Sequence, residues 1–349
     1  MKYVKKHYFG TTKDLSKVYK FTISNNKGTE VDIINYGATV TSFRMKDRLG
    51  KIHDIVLGYD SLDEYENGDK FFGSTIGRCA NRISNSSFKL NDKIYNLESN
   101  KGDNHLHGGE NGFHRRIWDY RIEERAVIFT YVSEDMEEGY PGRCTLNVEF
   151  TLTDENELCI NYIGKTNRDT ILNSTNHCYF NLNGHDNGTI LKHSLTVYAD
   201  SYTPIRADGI PTGEVHKVEN TPLDLRTPKK IQEVINRECE QLFYGKGLDH
   251  NFCINGEENI LRLGVVLEDD NRERRLLVYT TLPGIQIYTG NNIGREKGKG
   301  NSIYLDNSGI CLETQYYPDS INIDGFESPI LKAGEIYKST TIYKIESVI

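Results

Sequence analysis

The sequence predicts an all-β protein, a large antiparallel β-sandwich with a few short helices. Three observations point there. Many short runs alternate apolar and polar residues with a period of two, which sends one set of side chains to a core face and the other toward solvent. Tyr, Thr, Val and Ile crowd these runs, while Gly, Asn and Asp punctuate the gaps. Helical signals are confined to two brief segments.

Along the chain, the strand pattern occupies residues 18–24, 30–35, 39–45, 127–133, 143–153, 157–166, 194–199, 276–281 and 339–345. The clearest is RCTLNVEFTLT at 143–153. There Cys144, Leu146, Val148, Phe150 and Leu152 alternate with Thr145, Asn147, Glu149 and Thr151. One helix is expected after Ser61, because Ser61 and Glu64 form a capping-box pair and Gly68 supplies a stop. A second is expected to start at Thr227-Pro228, with Thr as cap and Pro at the first helical position. Ile231, Val234 and Ile235 then recur at helical spacing. Many strands with little helix pack sheet on sheet. With no linker-like, low-complexity or repeated segment, residues 1–349 read as a single domain. The stretch 294–300, GREKGKG, lacks the Ser or Thr that a P-loop needs after its Lys and reads as a solvated loop.

A chain of 349 residues can bury a large core without staples. Its formal net charge is −8, and its Lys and Arg are scattered. That balance argues against nucleic acid and for a neutral substrate held by hydrogen bonds. No apolar run approaches the roughly 20 residues that span a bilayer, so no membrane association is expected. The basic start MKYVKKH has no apolar stretch after it, which sets it apart from a secretory signal. The seven cysteines are odd in number and form no CxxC pair. Reduced thiols in a cytoplasmic protein are the expectation.

Five segments hold the chemistry-bearing residues. In 77–83, GRCANRI, Arg78 and Arg82 flank Asn81. An Arg fork binds a carboxylate, a phosphate or a pair of sugar hydroxyls, or else ties a loop through main-chain carbonyls. In 104–109, NHLHGG, His105 and His107 would share a face if the segment were a strand, as half of a metal site or as satisfied loop histidines. The paired Gly there lets the backbone approach a ligand. In 176–182, NHCYFNL, His177 sits among aromatics, where it serves either proton transfer near neutral pH or a core hydrogen bond. Cys178 follows it directly and faces the other way, so the two make a poor nucleophilic dyad. In 247–252, GLDHNF, Asp249 is a turn-former or an acceptor for a diol. In 310–319, ICLETQYYPD, Glu313 follows Ile-Cys-Leu at a buried strand end. An ionisable group there needs a partner or a purpose, which makes Glu313 the best general-base candidate.

Together these segments resemble the aldose 1-epimerase (galactose mutarotase) family, and the likeness runs through nearly the whole chain. It also takes in NYGA at 35–38, DIVLGY at 54–59, YTP at 202–204, IPTGE at 210–214, LDLR at 223–226 and QIYTGN at 286–291. The resemblance implies a galactose mutarotase-like supersandwich with an open cleft, a free aldose as substrate, and no metal or cofactor. By position it makes Glu313 the general base and His177 the general acid of ring opening and closure. It places His107 near the ring oxygen and makes Asn81, Arg82, Tyr179, Asp249 and Gln286 sugar-binding residues. Arg82 fits better than Arg78, because the family's Arg follows Ala-Asn. Two departures, Asn292 in place of an aromatic and the tip Ile205-Arg206-Ala207-Asp208, bear on sugar preference. The scheme calls for an ionised Glu313 held by donors and a protonated His177 held by a nearby carboxylate. The rival readings are a hexose-phosphate epimerase of the same fold, which needs an Arg or Lys clamp, a glycosidase using two carboxylates, and a non-catalytic sugar-binding protein.

Overall fold

The alternation becomes three large antiparallel sheets in the computed structural model, which describes residues 3–47, 49–257 and 259–347. A five-stranded meander comes first: Val4–Thr11, Lys17–Ser24, Glu30–Ile34, Thr39–Lys46 and Ile52–Asp54. A nine-stranded sheet is built around Cys144–Leu152, Glu157–Thr166, Ile336–Ser347 and Arg274–Thr280. The third sheet has six strands, with Ile310–Gln315, Gly284–Tyr288 and Asp249–Cys253 side by side at its centre. All nine strands expected from the alternation are present, with ends within three residues of the expected ones.

The nine-stranded sheet backs the six-stranded one. Phe180 packs on Tyr343 at 4.9 Å between ring centroids, and the Tyr343 hydroxyl donates to the Leu312 carbonyl at 3.1 Å. Leu146, Val148, Phe150, Leu158 and Ile160 of one sheet share a core with Ile285, Ile287, Ile310 and Leu312 of the other. Each such side chain contributes roughly 1.5–3 kcal/mol on full burial. The sequence alternation thus decides which residues are left on the far face of the six-stranded sheet. Cys311, Glu313, Gln286, Tyr288, Asp249 and Asn251 point away from that core, and in register Asn251 lies opposite Gln286, which lies opposite Glu313.

The helices are short. Leu62–Asn67 starts at Ser61 with the capping box complete and ends at Gly68, as expected. The second begins later than expected, at Ile231, and runs to Ile235. Lys229 and Lys230 are used first as a strand pairing with Ser194 and Leu195, so Thr227-Pro228 does not open the helix. A third, Glu240–Gly245, had no clear sequence signal. The loop reading of 294–300 also needs correction. Arg295–Lys297 pairs with Ile303–Leu305, and Lys299 is buried, its Nζ 2.7 Å from Asp54 and 2.9 Å from the Thr41 carbonyl. The edge strand Val4–Thr11 escaped the alternation because most of its side chains are exposed.

Arg78 explains why one of the two motif arginines is structural. It is 1% exposed. Its two terminal nitrogens donate to the carbonyls of Pro141, Gly142, Ser133 and Glu134 and to the hydroxyls of Ser133 and Thr170. One guanidinium therefore ties three segments together. Arg78→Met is expected to destabilise the protein by about 3–5 kcal/mol, because those acceptors stay buried without their donor. Denaturant unfolding measures it, and a loss under about 1 kcal/mol would contradict the assignment.

Candidate active site

The far face of the six-stranded sheet floors a cleft of about 160 Å³. Its lining includes Asn81, Arg82, His107, His177, Tyr179, Asp249, Gln286 and Glu313. All eight residues singled out in the sequence therefore meet in one place. They come from six separate chain segments. Phe71, Lys70 and Tyr288 line the same cleft and were missed. Tyr288 lay within reach of sequence reasoning, since it is two residues beyond Gln286 on one strand. Phe71 did not, because DKFF at 69–72 belongs to no regular element and Phe71 has a left-handed φ of 58°.

His177 is held at both ends of its peptide. Its N–H donates to the Ser74 carbonyl and its own carbonyl accepts from Gly73 N–H, each at 2.9 Å. Nε2 then lies 3.6 Å from Oε1 of Glu313. Cys178, the next residue, turns into the hydrophobic core as the alternation required.

His107 reaches the same point by another route. The strand His105–Leu106 stops one residue short of it, and His107 takes a left-handed φ of 52°. The two histidines therefore do not share a face. His105 is fully buried, bonded through Nδ1 to the Glu98 carbonyl and through Nε2 to the Tyr140 hydroxyl. His107 turns into the cleft, where its Nδ1 accepts from the Asn81 N–H at 3.2 Å. That assigns its proton to Nε2 and makes it a neutral donor. Burial pushes it well below the usual histidine range. The following Gly pair is needed for close packing of protein on protein rather than on a ligand. A Cβ at Gly108, which has a φ of +85°, would collide with the Gly77 carbonyl.

The polar side of the cleft is a network. Gln286 Nε2 donates to Asp249 Oδ1 at 2.6 Å, and Arg82 Nη2 lies 3.6 Å from Asp249 Oδ2. Asn81 Oδ1 accepts from the Arg82 N–H at 2.9 Å. Glu313 Oε2, Gln286 Oε1 and Arg82 Nε have no protein hydrogen-bond partner among the described residues. Phe71 packs edge-on against His107 at 4.9 Å and tilted on His177 at 5.7 Å, and Tyr179 covers the other side of His177 at 5.1 Å.

The protonation states differ from the expected ones. Glu313 is 2% exposed, and burial, reinforced by Asp249 and opposed by Arg82, holds its carboxyl well above the usual range. Burial pushes His177 down to about 4. Among the described residues no set of donors surrounds the Glu313 carboxyl to keep it ionised. The favoured resting state is a carboxylic acid facing a neutral imidazole. That state and the ion pair hold the same single proton, one transfer apart. The donor atoms of His107, His177 and Glu313 all lie within 4.8 Å of one another. A cation there would have to displace the proton from Glu313. The arrangement can take a proton at one atom and give one at another a few ångströms away.

Comparison with known proteins agrees with this geometry. Residues 19–344 match the model of the aldose 1-epimerase family. The chain is 42% identical over 328 residues to the galactose mutarotase of Homo sapiens, covering 94% of each. It is 34% identical to the aldose 1-epimerase of Escherichia coli K12, covering 93% of this chain and 94% of the relative. Its fold superposes on the aldose epimerase homologue from C. elegans with a TM-score of 0.88 at 28% identity, over 99% of this chain and 100% of the other. The galactose 1-epimerase of Lactobacillus acidophilus gives 0.86 at 29% identity, over 99% of both chains. The chain therefore belongs to the aldose 1-epimerase family and is an isomerase that interconverts the α and β anomers of aldose sugars.

Proposed function

We propose that Glu313 and His177 carry the reaction as a general base and a general acid, in one domain acting on free galactose and related aldoses. The observation that carries this reading is the 3.6 Å approach of the two buried groups, 136 positions apart along the chain (313 − 177), on the floor of a single cleft. A cyclic aldose changes anomer by breaking C1–O5 and closing it on the other face of C1. Glu313 takes the proton of the C1 hydroxyl while the Nε2–H of His177 gives one to O5. The C1–O5 pair moves to O5 and takes up that proton, and the electron pair of the broken O1–H bond becomes the second bond of the C1 carbonyl. Rotation about C1–C2 and the reverse transfers complete the cycle, so the pair ends with the proton it began with. His107, a neutral donor, holds O5 or the carbonyl oxygen. Arg82, Asp249, Gln286 and Asn81 orient the hydroxyls, while Tyr179 fixes the plane of His177. Each positioned acid or base contributes roughly 10²–10⁴-fold.

Galactose enters the proposal through the names of the relatives. Free thiols at all seven cysteines fit a cytoplasmic setting, and no helix among the described residues is long and apolar enough to cross a membrane. The hexose-phosphate reading loses its Arg pair, since Arg78 is spent on main-chain carbonyls. The glycosidase reading needs a free second carboxylate, and Asp249 is engaged by Gln286 and Arg82.

Polarimetry on fresh α-galactose tests the pair. Glu313→Gln and His177→Asn are each expected to lower kcat by at least about 10²-fold with the fold intact. Full activity in either variant would overturn the assignment. Glucose 6-phosphate is expected to turn over far more slowly than galactose, and the reverse order would favour the rival reading.

The pH profile has a definite sign. Activity needs one proton on the pair. Below the value of about 4 to which His177 is pushed, a second proton binds and no base remains. Above the raised range of Glu313 the shared proton is lost and no acid remains. The expected profile is a plateau through neutrality with an acid limb near pH 4 and an alkaline limb well above the ordinary carboxylate range. An acid limb between pH 6 and 7, roughly the free-histidine range, would contradict it.

A further inference from the structure

We propose that Cys311 is a positioning residue for His177: its sulfur accepts the Nδ1–H of the imidazole and so reserves Nε2, the nitrogen facing Glu313, for the proton that moves. This rests on the reading of His177 as the general acid.

The geometry begins with strand alternation. Cys311 and Glu313 are two residues apart on Ile310–Gln315 and share its cleft-side face. The His177 ring lies across both. Nδ1 is 3.5 Å from Cys311 Sγ, and Nε2 is 3.6 Å from Glu313 Oε1. One strand thus contacts the imidazole at both of its nitrogens. Cys311 is fully buried, and burial, then Glu313, hold its thiol well above the usual range, so it remains S–H. The Tyr179 hydroxyl is hydrogen-bonded to the same sulfur, which fixes the sulfur in place.

Two tautomers of neutral His177 compete. The main-chain carbonyl of His177 itself favours a proton on the ring. With the proton on Nδ1, that carbonyl and the sulfur both accept, and the bare Nε2 faces the carboxylic acid of Glu313. With the proton on Nε2, a bare Nδ1 faces a carbonyl oxygen and only the weak S–H donor. The first arrangement satisfies every contact and the second does not. Nδ1–H then persists through the whole cycle. In the imidazolium it becomes a stronger donor, and the polarisable sulfur supports that charged form.

Nitrogen-15 spectra of the imidazoles in the labelled full-length protein test the tautomer directly, with His177→Asn locating its signals. The expected result near neutral pH is a protonated Nδ1 and a bare Nε2. A protonated Nε2 with a bare Nδ1 would overturn the proposal, even if His177→Asn abolishes activity and upholds the wider mechanism. Kinetics give the second readout. Cys311→Ala removes one acceptor and is expected to lower kcat about threefold to tenfold with KM within about twofold. Loss of that acceptor disfavours the imidazolium, so the acid limb is expected to move to lower pH. Of the other groups that face His177, Glu313, His107, His114 and Asp249 keep their own contacts, while Tyr179, which burial holds neutral, loses its bond to the sulfur. Cys311→Ser keeps an acceptor and is expected to recover kcat and the wild-type limb. A folded Cys311→Ala with wild-type kcat and an unmoved limb would overturn the proposal. If Cys311→Ala does not fold, the wild-type spectrum decides.

Discussion

Two ionisable side chains buried face to face at 3.6 Å set the terms for the rest of the structure. Neither is readily charged alone so far from water. Together they hold one proton, and a reaction that moves a proton between two oxygens of a hemiacetal returns the pair to its starting state. Hence the chemistry itself changes no net charge in the cleft, and burial of the pair strengthens each hydrogen bond instead of opposing the step.

A sandwich suits that arrangement because its strands have two faces. Ile310 and Leu312 go to the core while Cys311 and Glu313 go to the cleft, and a one-residue slip would exchange the two sets. The core between the sheets therefore enforces the register on which the site depends. The histidines come from elsewhere. His177 follows a two-residue strand pinned to Thr75–Ile76, and His107 turns in from the end of another. Left-handed backbone at Phe71, Asn81 and His107 brings three irregular segments over the sheet. Such conformations are costly outside glycine and gather where surrounding structure holds them.

What the sequence revealed divides along the same line. Strands with one buried face announced themselves through alternation, and Glu313 stood out because an acid rarely follows Ile-Cys-Leu in a buried run. The segments that needed a known family to interpret were those whose geometry is long-range. Nothing local distinguishes His105, locked between Glu98 and Tyr140, from His107 two positions later. The expected shared face failed because the strand ends between them. Protonation was equally out of reach, since burial depends on what the rest of the chain stacks above the residue. Phe71 acts through packing on His107 and His177, which no motif records.

Arg78 and Arg82 show how one residue type serves both ends of this division. Arg78 spreads its terminal nitrogens over four carbonyls and two hydroxyls, so both are spent within the protein and away from the cleft. Among the described residues, the terminal nitrogens of Arg82 reach only Asn81 Oδ1 and, more loosely, Asp249. Arg82 Nε, Glu313 Oε2 and Gln286 Oε1 have no protein partner among the described residues. Each such group would cost about 1–3 kcal/mol if it were left unpaired away from water. A fold selected for stability alone would pair or replace them. Keeping all three in one small volume makes sense if a polyhydroxylated ligand supplies the missing donors and acceptors, with a stereochemistry that another arrangement of hydroxyls would leave partly unmatched. The two arginines therefore divide the work: Arg78 ties three segments of the interior together, while Arg82 keeps donor capacity for a ligand in the cleft.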